Sequence, residues 1–208
     1  SSPSTQRKRN MHIVAGTANN LSTSAFSAMA HYRYRVFVEK LGWKLANDGI
    51  TELDQFDRAD TLYVMARERD ARLRGVARLL PTDRPYLLSD VFADLLDGDP
   101  PPRSAKVWEL SRFAVIDLDA SDTATQEPGE APGRALALLD VVMRLAAFGG
   151  ADELITVSPL GVERILRRAG IVAHRMGRPV CLNQLLVYAC RIEIEPSMRS
   201  RSCLQPVL

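Results

Sequence analysis

Charged residues stand inside the apolar segments of this chain, and their placement constrains the fold more than any other feature. Arg33 shares a predicted helix face with Met29 and Phe37, at spacings of four residues. Arg78 and Arg112 lie within segments whose apolar and β-branched residues are typical of strands. A buried charge is tolerated only when it is paired or hydrogen-bonded. The arrangement therefore predicts a pocket of paired charges, suited to a ligand that carries both a cation and an anion.

The carboxylates that can pair with these arginines cluster in one predicted loop. Residues 45–60 lack hydrophobic periodicity, are rich in Asp, Gly and Asn, and contain Glu52, Asp54 and Asp57. Loops of this length within compact domains are often functional. The alternative interpretation is a solvated surface loop, because charge runs usually are. A calcium loop is disfavoured, since the alternate-position ligands and the central glycine are missing.

Composition narrows the class of protein. A chain of 208 residues with 46% hydrophobic content can bury one sizeable core, so we predict a single domain at residues 11–195, between a flexible extension at 1–10 and a C-terminal tail at 196–208. A net charge of +2 gives no sequence-wide argument for nucleic-acid binding. No apolar run approaches the roughly 20 residues that span a bilayer, and three cysteines without CxxC spacing favour a reducing compartment. We therefore expect a soluble cytoplasmic protein that binds neither membranes nor nucleic acid.

Hydrophobic periodicity predicts both helices and strands. The helix that carries Arg33 begins at Ser22 or Ser24 and ends near Leu41. Residues 120–133 form a predicted surface linker, because they have too little apolar content to pack. The order of the elements indicates an α/β fold with a mixed central β-sheet flanked by helices. The other predicted elements are strands at 12–15, 61–67, 73–80, 107–116, 154–157, 171–174 and 185–194, and helices at 134–148 and 162–169.

In order and spacing, these residues resemble the acyl-homoserine lactone synthases, the bacterial autoinducer synthases. The resemblance implies a fold similar to that of the GCN5-related N-acetyltransferases. It also implies an enzyme that acylates S-adenosylmethionine with an acyl thioester, usually carried by acyl carrier protein, and then closes a lactone with release of methylthioadenosine. The resemblance extends over residues 11–194 and rests on Leu41-Gly42-Trp43, Asp54-Gln55-Phe56-Asp57 and Glu109-Leu110-Ser111-Arg112, together with Arg33, Phe37, Glu52, Arg78 and Phe92.

The resemblance assigns most of these charged and aromatic residues to an S-adenosylmethionine site. This compound carries a sulfonium, an ammonium and a carboxylate, so its site needs acids, aromatic faces and a cation. It is consumed as a substrate, and the reaction requires no cofactor, metal or protein nucleophile. Taken singly, Arg33 is more typical of a snorkelling helix arginine, and Phe37, Trp43 and Phe92 are more typical of core residues. The residues assigned to substrate binding are Arg33, Phe37, Trp43, Glu52, Asp54, Asp57, Arg78 and Arg112.

The catalytic candidates are Glu109, Ser111 and Asp54. The substrate ammonium must lose a proton before it attacks the thioester, and Glu109 is the candidate acceptor, directly or through a water. Backbone N–H groups on the strand that contains Ser111 are the candidate donors to the oxyanion. The alternative for Glu109 is a purely structural ion pair with Arg112.

Two further sets of residues are predicted to serve the acyl donor. Arg164, Arg167 and Arg168 crowd one short helix, and we interpret them as a docking face for an acidic acyl carrier protein, although an ordinary exposed face has the same pattern. Acyl-coenzyme A is the alternative donor, but Glu127 and Glu130 add negative charge where a phosphate loop would stand at 130–135. The acyl chain needs an apolar tunnel, and the candidate lining residues are Phe92, Leu139, Met143, Thr156, Val157 and Ser158.

Two other functions stay open at this point. One is an N-acyltransferase of similar fold that uses acyl-coenzyme A and a different amine, and the acidic, incomplete phosphate loop counts against it. The other is a ligand-binding regulator that has kept the pocket without turnover. Formation of methylthioadenosine from S-adenosylmethionine only when an acyl donor is present would favour the synthase over both.

Overall fold

A mixed eight-stranded β-sheet forms the centre of the computed structural model, which describes residues 11–68, 70–119, 130–182 and 184–199. The strands are β1 (His12–Thr17), β2 (Leu62–Arg67), β3 (Leu73–Pro81), β4 (Val107–Val115), β5 (Glu153–Pro159), β6 (Ala173–Arg175), β7 (Val180–Leu182) and β8 (Leu185–Glu193). Their order across the sheet is β1-β2-β3-β4-β5-β8-β6, and β7 also pairs with β8.

Helices connect the strands and cover the sheet. The α-helices are α1 (Thr23–Arg33), α2 (Leu87–Val91), α3 (Glu130–Phe148) and α4 (Gly161–Arg168). A π-helix (Tyr34–Lys40) continues α1, and 3₁₀ helices lie at Ala93–Leu96 and Pro196–Arg199. None of the helices in the described ranges is at once long enough and apolar enough to cross a membrane.

The two faces of the sheet have separate hydrophobic cores. On one side, called the α1 face, Met29 and Phe37 pack with Tyr63 of β2, and a neighbouring cluster on the same face contains Leu80 of β3. On the other side, called the α3 face, Leu79 of β3 packs against α3 and α4. Adjacent strand residues such as Leu79 and Leu80 enter different cores because side chains alternate along a strand.

The sheet opens between β4 and β5. These two strands are parallel, and their register runs only from Val107 opposite Glu153 to Glu109 opposite Ile155. β4 then continues to Val115 and β5 to Pro159 without pairing to each other. Two unpaired strand edges therefore face each other just beyond Glu109, in the middle of the sheet.

The predicted fold class is confirmed, and the differences from the predicted elements lie in short or irregular segments. Ser22 caps α1 by accepting a hydrogen bond from the N–H of Ala25 at 3.2 Å, as predicted for one of two serines. The single helix expected up to Leu41 changes into a π-helix at Tyr34. The linker predicted at 120–133 is wrong for 130–133, where α3 has already begun, and residues 120–129 lie outside the described ranges. The prediction missed α2, β7 and the 3₁₀ helices, since their three to five residues carry too little periodicity.

The predicted C-terminal tail begins with described structure. The 3₁₀ helix Pro196–Arg199 follows β8, and its Met198 packs against the core of the α3 face. Residues 200–208 lie outside the described ranges, as does the predicted extension at 1–10. The division into one domain with two terminal segments stays a prediction.

Candidate active site

A β-bulge in β4 directs two consecutive side chains to the α1 face. Ala77 of β3 faces two residues of β4, Arg112 and Phe113. Arg112 has φ +50°, a left-handed conformation that costs a non-glycine residue about 1 kcal/mol. Because the bulge interrupts the alternation of the strand, Ser111 and Arg112 both point to the α1 face, whereas Phe113 packs in the core of the α3 face.

Glu52 joins two guanidinium groups at the buried centre of the site. Its Oε2 accepts from Arg33 Nε at 2.7 Å and from Arg112 Nε at 3.1 Å, and its Oε1 accepts from Arg112 Nη2 at 3.0 Å. The side chains of Glu52 and Arg33 have no exposed surface. Burial acts to raise the pKa of Glu52, but hydrogen bonds and charge from the two guanidiniums outweigh it and lower that pKa. The ionised carboxylate therefore connects α1 and residues 45–60, called the acidic loop, to β4.

The Asp57 carboxylate is also buried, and it has four hydrogen-bonding or ion-pair partners. Arg33 donates to both of its oxygens, at 2.6 and 3.0 Å, and the N–H of Asp54 donates to Oδ2 at 2.7 Å. Arg78 Nη1 lies 3.2 Å from Oδ2, and the hydroxyl of Tyr63 donates to Oδ1 at 3.0 Å. Burial acts to raise the pKa of Asp57, but the adjoining guanidiniums dominate and lower it to about 2.

Asp54 and Arg112 form the edge of the cluster that is nearest to solvent. Asp54 accepts from Arg78 Nη1 at 2.6 Å and from Arg112 Nη2 at 2.9 Å. Its side chain is 13% exposed, compared with 0% for Glu52 and 2% for Asp57. The Arg112 contacts within the described residues use Nε and Nη2 and leave Nη1 without a hydrogen bond. An anion and a cation thus lie side by side at the part of the cluster that is nearest to solvent.

An aromatic pair adjoins this edge. The rings of Phe37 and Trp43 are stacked, with centroids 4.9 Å apart and an interplanar angle of 29°. The guanidinium carbon of Arg112 lies 5.7 Å from the centroid of the Phe37 ring. Trp43 is 41% exposed, and Gly42 before it has φ +67°, a turn conformation that suits glycine. The stack therefore offers an accessible aromatic surface next to a paired anion and cation.

Glu109 occupies a different environment from the other three carboxylates. Its oxygens accept the backbone N–H groups of Leu87 at 3.0 Å and Leu88 at 2.6 Å, at the start of α2, and within the described residues it has no guanidinium partner. The alternative of a structural Glu109–Arg112 ion pair is wrong, because Arg112 pairs with Glu52 and Asp54. Burial raises the pKa of Glu109 to about 6, although the two N–H groups oppose that shift.

Ser111 lies beside the charge network. Its hydroxyl accepts a hydrogen bond from Arg78 Nε at 3.0 Å, which helps to hold the arginine over the ring of Phe56. The Nη2 atom of Arg78 is buried and has no hydrogen-bond partner in the described part of the chain. The proposed role of the Ser111 strand in binding an oxyanion stays a prediction.

The residues predicted to line an acyl tunnel lie on both faces of the sheet. Phe92 and Val157 pack with the apolar cluster near α2 on the α1 face. Leu139 and Met143 are buried in the core of the α3 face. Thr156 and Ser158 alternate with Val157 along β5 and therefore point to the α3 face. The opening between β4 and β5 lies between the two groups, so a single chain-binding cavity must pass through the sheet to use both.

The arginines predicted to dock a carrier protein are exposed on α4. The side chains of Arg164, Arg167 and Arg168 form no hydrogen bond or ion pair with any described residue. Glu163 of the same helix is paired instead with Arg175, at 2.7 and 2.9 Å. The helix therefore presents three exposed, positively charged side chains, of which Arg167 also acts electrostatically on Glu163.

The predicted phosphate loop is the first turn of α3 rather than a loop. The helix begins at Glu130, and a Cβ added at Gly133 would meet nothing within 4 Å. Glu127 and the side chain of Glu130 lie outside the part of the chain that the structure describes. The open space at Gly133 leaves room for a ligand, and the acidic sequence around it is unfavourable for phosphates.

Sequence reasoning missed several contributors to the site. Tyr63 looked like an ordinary strand aromatic, and only the three-dimensional position of its hydroxyl reveals the bond to Asp57. The N–H groups of Leu87 and Leu88 carry no side-chain signal at all.

Comparisons with known proteins identify the family and the fold of the chain. The profile of the autoinducer synthase family matches residues 17–201. An acyl-homoserine-lactone synthase from Acinetobacter nosocomialis is 47% identical over 184 residues, which cover 88% of this chain and 100% of that protein. The crystal structure of TofI in a ternary complex with an inhibitor and MTA has a TM-score of 0.78 and 41% identity, covering 94% of this chain and 98% of that one. An acyl-CoA N-acyltransferase from Pseudomonas aeruginosa shares the fold, with a TM-score of 0.59 and 17% identity over 88% of this chain and 99% of its own.

The low pKa of Asp57 predicts a specific dependence of stability on pH. A folded-state pKa of about 2, below the ordinary value of 3.8, means that the ionised group stabilises the fold above the unfolded-state pKa and that this contribution is lost as the pH falls towards 2. We expect Asp57→Asn to be less stable than the wild type by about 2 kcal/mol at pH 7. Urea unfolding between pH 7 and pH 2 should show the difference shrinking below pH 4. Asp99→Asn, at an exposed site, is the control that should show no such trend.

Proposed function

The chain belongs to the autoinducer synthase family, and we propose that its charge network binds S-adenosylmethionine while an acyl carrier protein delivers the acyl chain. The protein is an acyl-transferring enzyme that makes an N-acyl-homoserine lactone, a quorum-sensing signal. The single observation that carries the choice of amine donor is the Asp54–Arg112 edge beside the Phe37–Trp43 stack. An anion, a cation and an aromatic surface are the three features that an amino-acid sulfonium requires.

The proposed binding mode separates groups that touch the substrate from groups that support them. Asp54 attracts the ammonium or the sulfonium, Arg112 pairs with the carboxylate through its free Nη1, and Trp43 covers the sulfonium or the adenine. Arg33, Glu52 and Asp57 have almost no exposed surface and hold these groups in place. Arg78 completes the support by bridging Asp54 and Ser111.

Glu109 is the proposed general base for acylation. A pKa of about 6 leaves most of this carboxylate ionised at neutral pH while keeping it basic enough to accept a proton. The N–H groups of Leu87 and Leu88 use one lone pair on each oxygen, and each oxygen has a second one. Because Glu109 is 2% exposed, a water that links it to the substrate nitrogen is the simplest route for the proton.

The remaining steps follow from the opening in the sheet. Beyond Glu109, the facing edges of β4 and β5 carry backbone groups that no partner strand uses, and N–H groups near Ser111 can donate to the oxyanion of the tetrahedral intermediate. The acyl chain then extends among Phe92, Val157, Thr156 and the residues of α3. Lactone closure follows when the substrate carboxylate attacks its own γ-carbon and expels methylthioadenosine, a step that correct positioning accelerates. The mechanism that we propose uses no cofactor or metal.

Charge favours a carrier protein over coenzyme A as the acyl donor. Three exposed arginines on α4 suit an acidic protein surface, and Glu127 and Glu130 disfavour a pyrophosphate at the start of α3. Cys181 and Cys190 are free thiols, which supports the cytoplasm as the place of synthesis.

Product analysis tests the proposed function. Purified protein is incubated with S-adenosylmethionine and a panel of acyl carrier proteins loaded with acyl groups of different length, and products are identified by mass spectrometry. We expect equal amounts of acyl-homoserine lactone and methylthioadenosine, and no methylthioadenosine when the acyl donor is omitted. Methylthioadenosine release without a donor, or amide formation with a different amine only, would contradict the proposal.

Replacing the proposed base should affect turnover rather than binding. Glu109→Gln keeps the shape of the side chain but removes the proton acceptor, so we expect kcat to fall by about 100-fold or more. The Kd for S-adenosylmethionine, measured by calorimetry, should change by less than about threefold, because Glu109 forms no direct contact with the cationic or anionic edge. Wild-type turnover in this variant would remove Glu109 from the mechanism.

Reversing charge on α4 should weaken the interaction with acyl carrier protein without affecting S-adenosylmethionine. For Arg164→Glu combined with Arg168→Glu, we expect the KM for acyl carrier protein to rise about tenfold at low salt, with the KM for S-adenosylmethionine unchanged. The matched control is Arg103→Glu with Lys106→Glu, which makes the same change in net charge at two exposed residues outside α4. An equal effect in both double variants would show that only net charge matters.

A further inference from the structure

The turn between β6 and β7 packs directly against the backbone of the 3₁₀ helix Ala93–Leu96. A Cβ added to Gly177 would lie 2.2 Å from the carbonyl oxygen of Leu95 and 3.2 Å from the backbone nitrogen of Asp97. Side-chain carbons do not approach other atoms so closely, so the contact exists only because residue 177 is glycine. The φ of Gly177 lies outside the positive range, so the space around the residue, rather than its backbone conformation, is what requires glycine.

The neighbouring residues fasten this contact on both sides. The N–H of Arg178 donates to Asp97 Oδ2 at 2.7 Å, and its Nε donates to Oδ1 at 3.1 Å. The N–H of Met176 donates to the carbonyl of Ala189 in β8 at 2.9 Å. Gly177, Arg178 and Asp97, named here the β6–β7 clamp, therefore join the sheet to the end of the 3₁₀ helix.

Residues 87–97, named here the α2 segment, connect the clamp to Glu109. The clamp holds the C-terminal end of this segment, and its N-terminal end contacts Glu109. It starts with the two N–H groups of α2 that bind the Glu109 carboxylate. Phe92 is both the last cap of α2 and the first cap of the 3₁₀ helix, so the two helices follow each other without a linker. Leu88 and Leu95 are buried beneath the segment. The clamp and the N–H groups that hold Glu109 therefore lie at opposite ends of one continuous segment.

We propose that the β6–β7 clamp positions Glu109, by seating the α2 segment so that its first N–H groups orient the carboxylate for catalysis. The inference rests on the proposed role of Glu109 as the base. Gly177, Arg178 and Asp97 are positioning residues, since they act through α2 and not on the substrate.

The groups around Glu109 determine the direction in which its pKa changes when the clamp is broken. Arg78 of β3 and Asp54 of the acidic loop act on it electrostatically, and Tyr86 lies just before α2. Burial raises the pKa of Glu109, and the N–H groups of Leu88 and Leu87 lower it. Loss of those N–H groups leaves burial less opposed, so the pKa must rise when the segment moves away.

Gly177→Ala tests the clamp, because the added methyl group must displace the 3₁₀ helix. We expect the acidic limb of kcat/KM against pH to move upward by about half a pH unit or more, with kcat recovering at higher pH. The ¹³C chemical shift of the Glu109 carboxyl, assigned by comparison with Glu109→Gln, should titrate at a correspondingly higher pH. Gly161→Ala is the matched control, since a Cβ there would meet nothing within 4 Å, and its profile should equal that of the wild type.

A second variant tests the β6–β7 clamp if Gly177→Ala does not fold. Arg178→Ala removes a side chain that is 87% exposed, so it leaves the core intact, and it should shift the same limb in the same direction by a smaller amount. The clamp is overturned if the Glu109 carboxyl titrates at the wild-type pH in whichever of these variants folds. If the carboxyl titration moves but Glu109→Gln retains the acidic limb, the clamp holds and the assignment of the base fails instead.

Discussion

Three arginines and three carboxylates share one buried pocket between α1, the acidic loop and the centre of the sheet, and neither set can be buried without the other. Removing one partner from such a cluster leaves buried charge that is incompletely compensated, which is strongly destabilising. The six groups must therefore come together as a unit. This requirement explains why residues 45–60 fold back over the sheet, and why β4 tolerates a left-handed arginine at its bulge.

The site contains two kinds of carboxylate, which lie far apart in the sequence. Glu52 and Asp57 are held ionised by guanidiniums, which lower the pKa of each. Glu109 faces backbone N–H groups instead, and burial raises its pKa to about 6. Neighbouring acids whose pKa values are driven apart typically divide between binding and proton transfer. The structure thus supplies a fixed electrostatic frame and, next to it, one group able to exchange a proton.

Sequence reasoning was most successful where a physical rule left few choices. Arg33 on an apolar helix face had to find an acid, and Glu52 and Asp57 are its partners. The same reasoning could not foresee the bulge, because strict alternation would send Arg112 to the α3 face, away from every carboxylate of the loop. It also could not predict that Phe92 and Val157 lie on one face of the sheet and Leu139 and Met143 on the other. The opening between β4 and β5, which lies between these two groups, depends on where the strand pairing stops. α2 escaped prediction because five residues show no period, although its N–H groups hold Glu109.

In the proposed binding mode, the carboxylate of Glu52 organises the substrate-binding edge from beneath, without touching the substrate. The most direct measurement is the affinity for S-adenosylmethionine, by calorimetry, of a folded Glu52→Gln protein, with its fold checked by circular dichroism. We expect binding at least about tenfold weaker than in the wild type, because Arg33 and Arg112 lose their shared anion and Arg112 no longer lies beside Asp54. Unchanged affinity in the folded variant would contradict it.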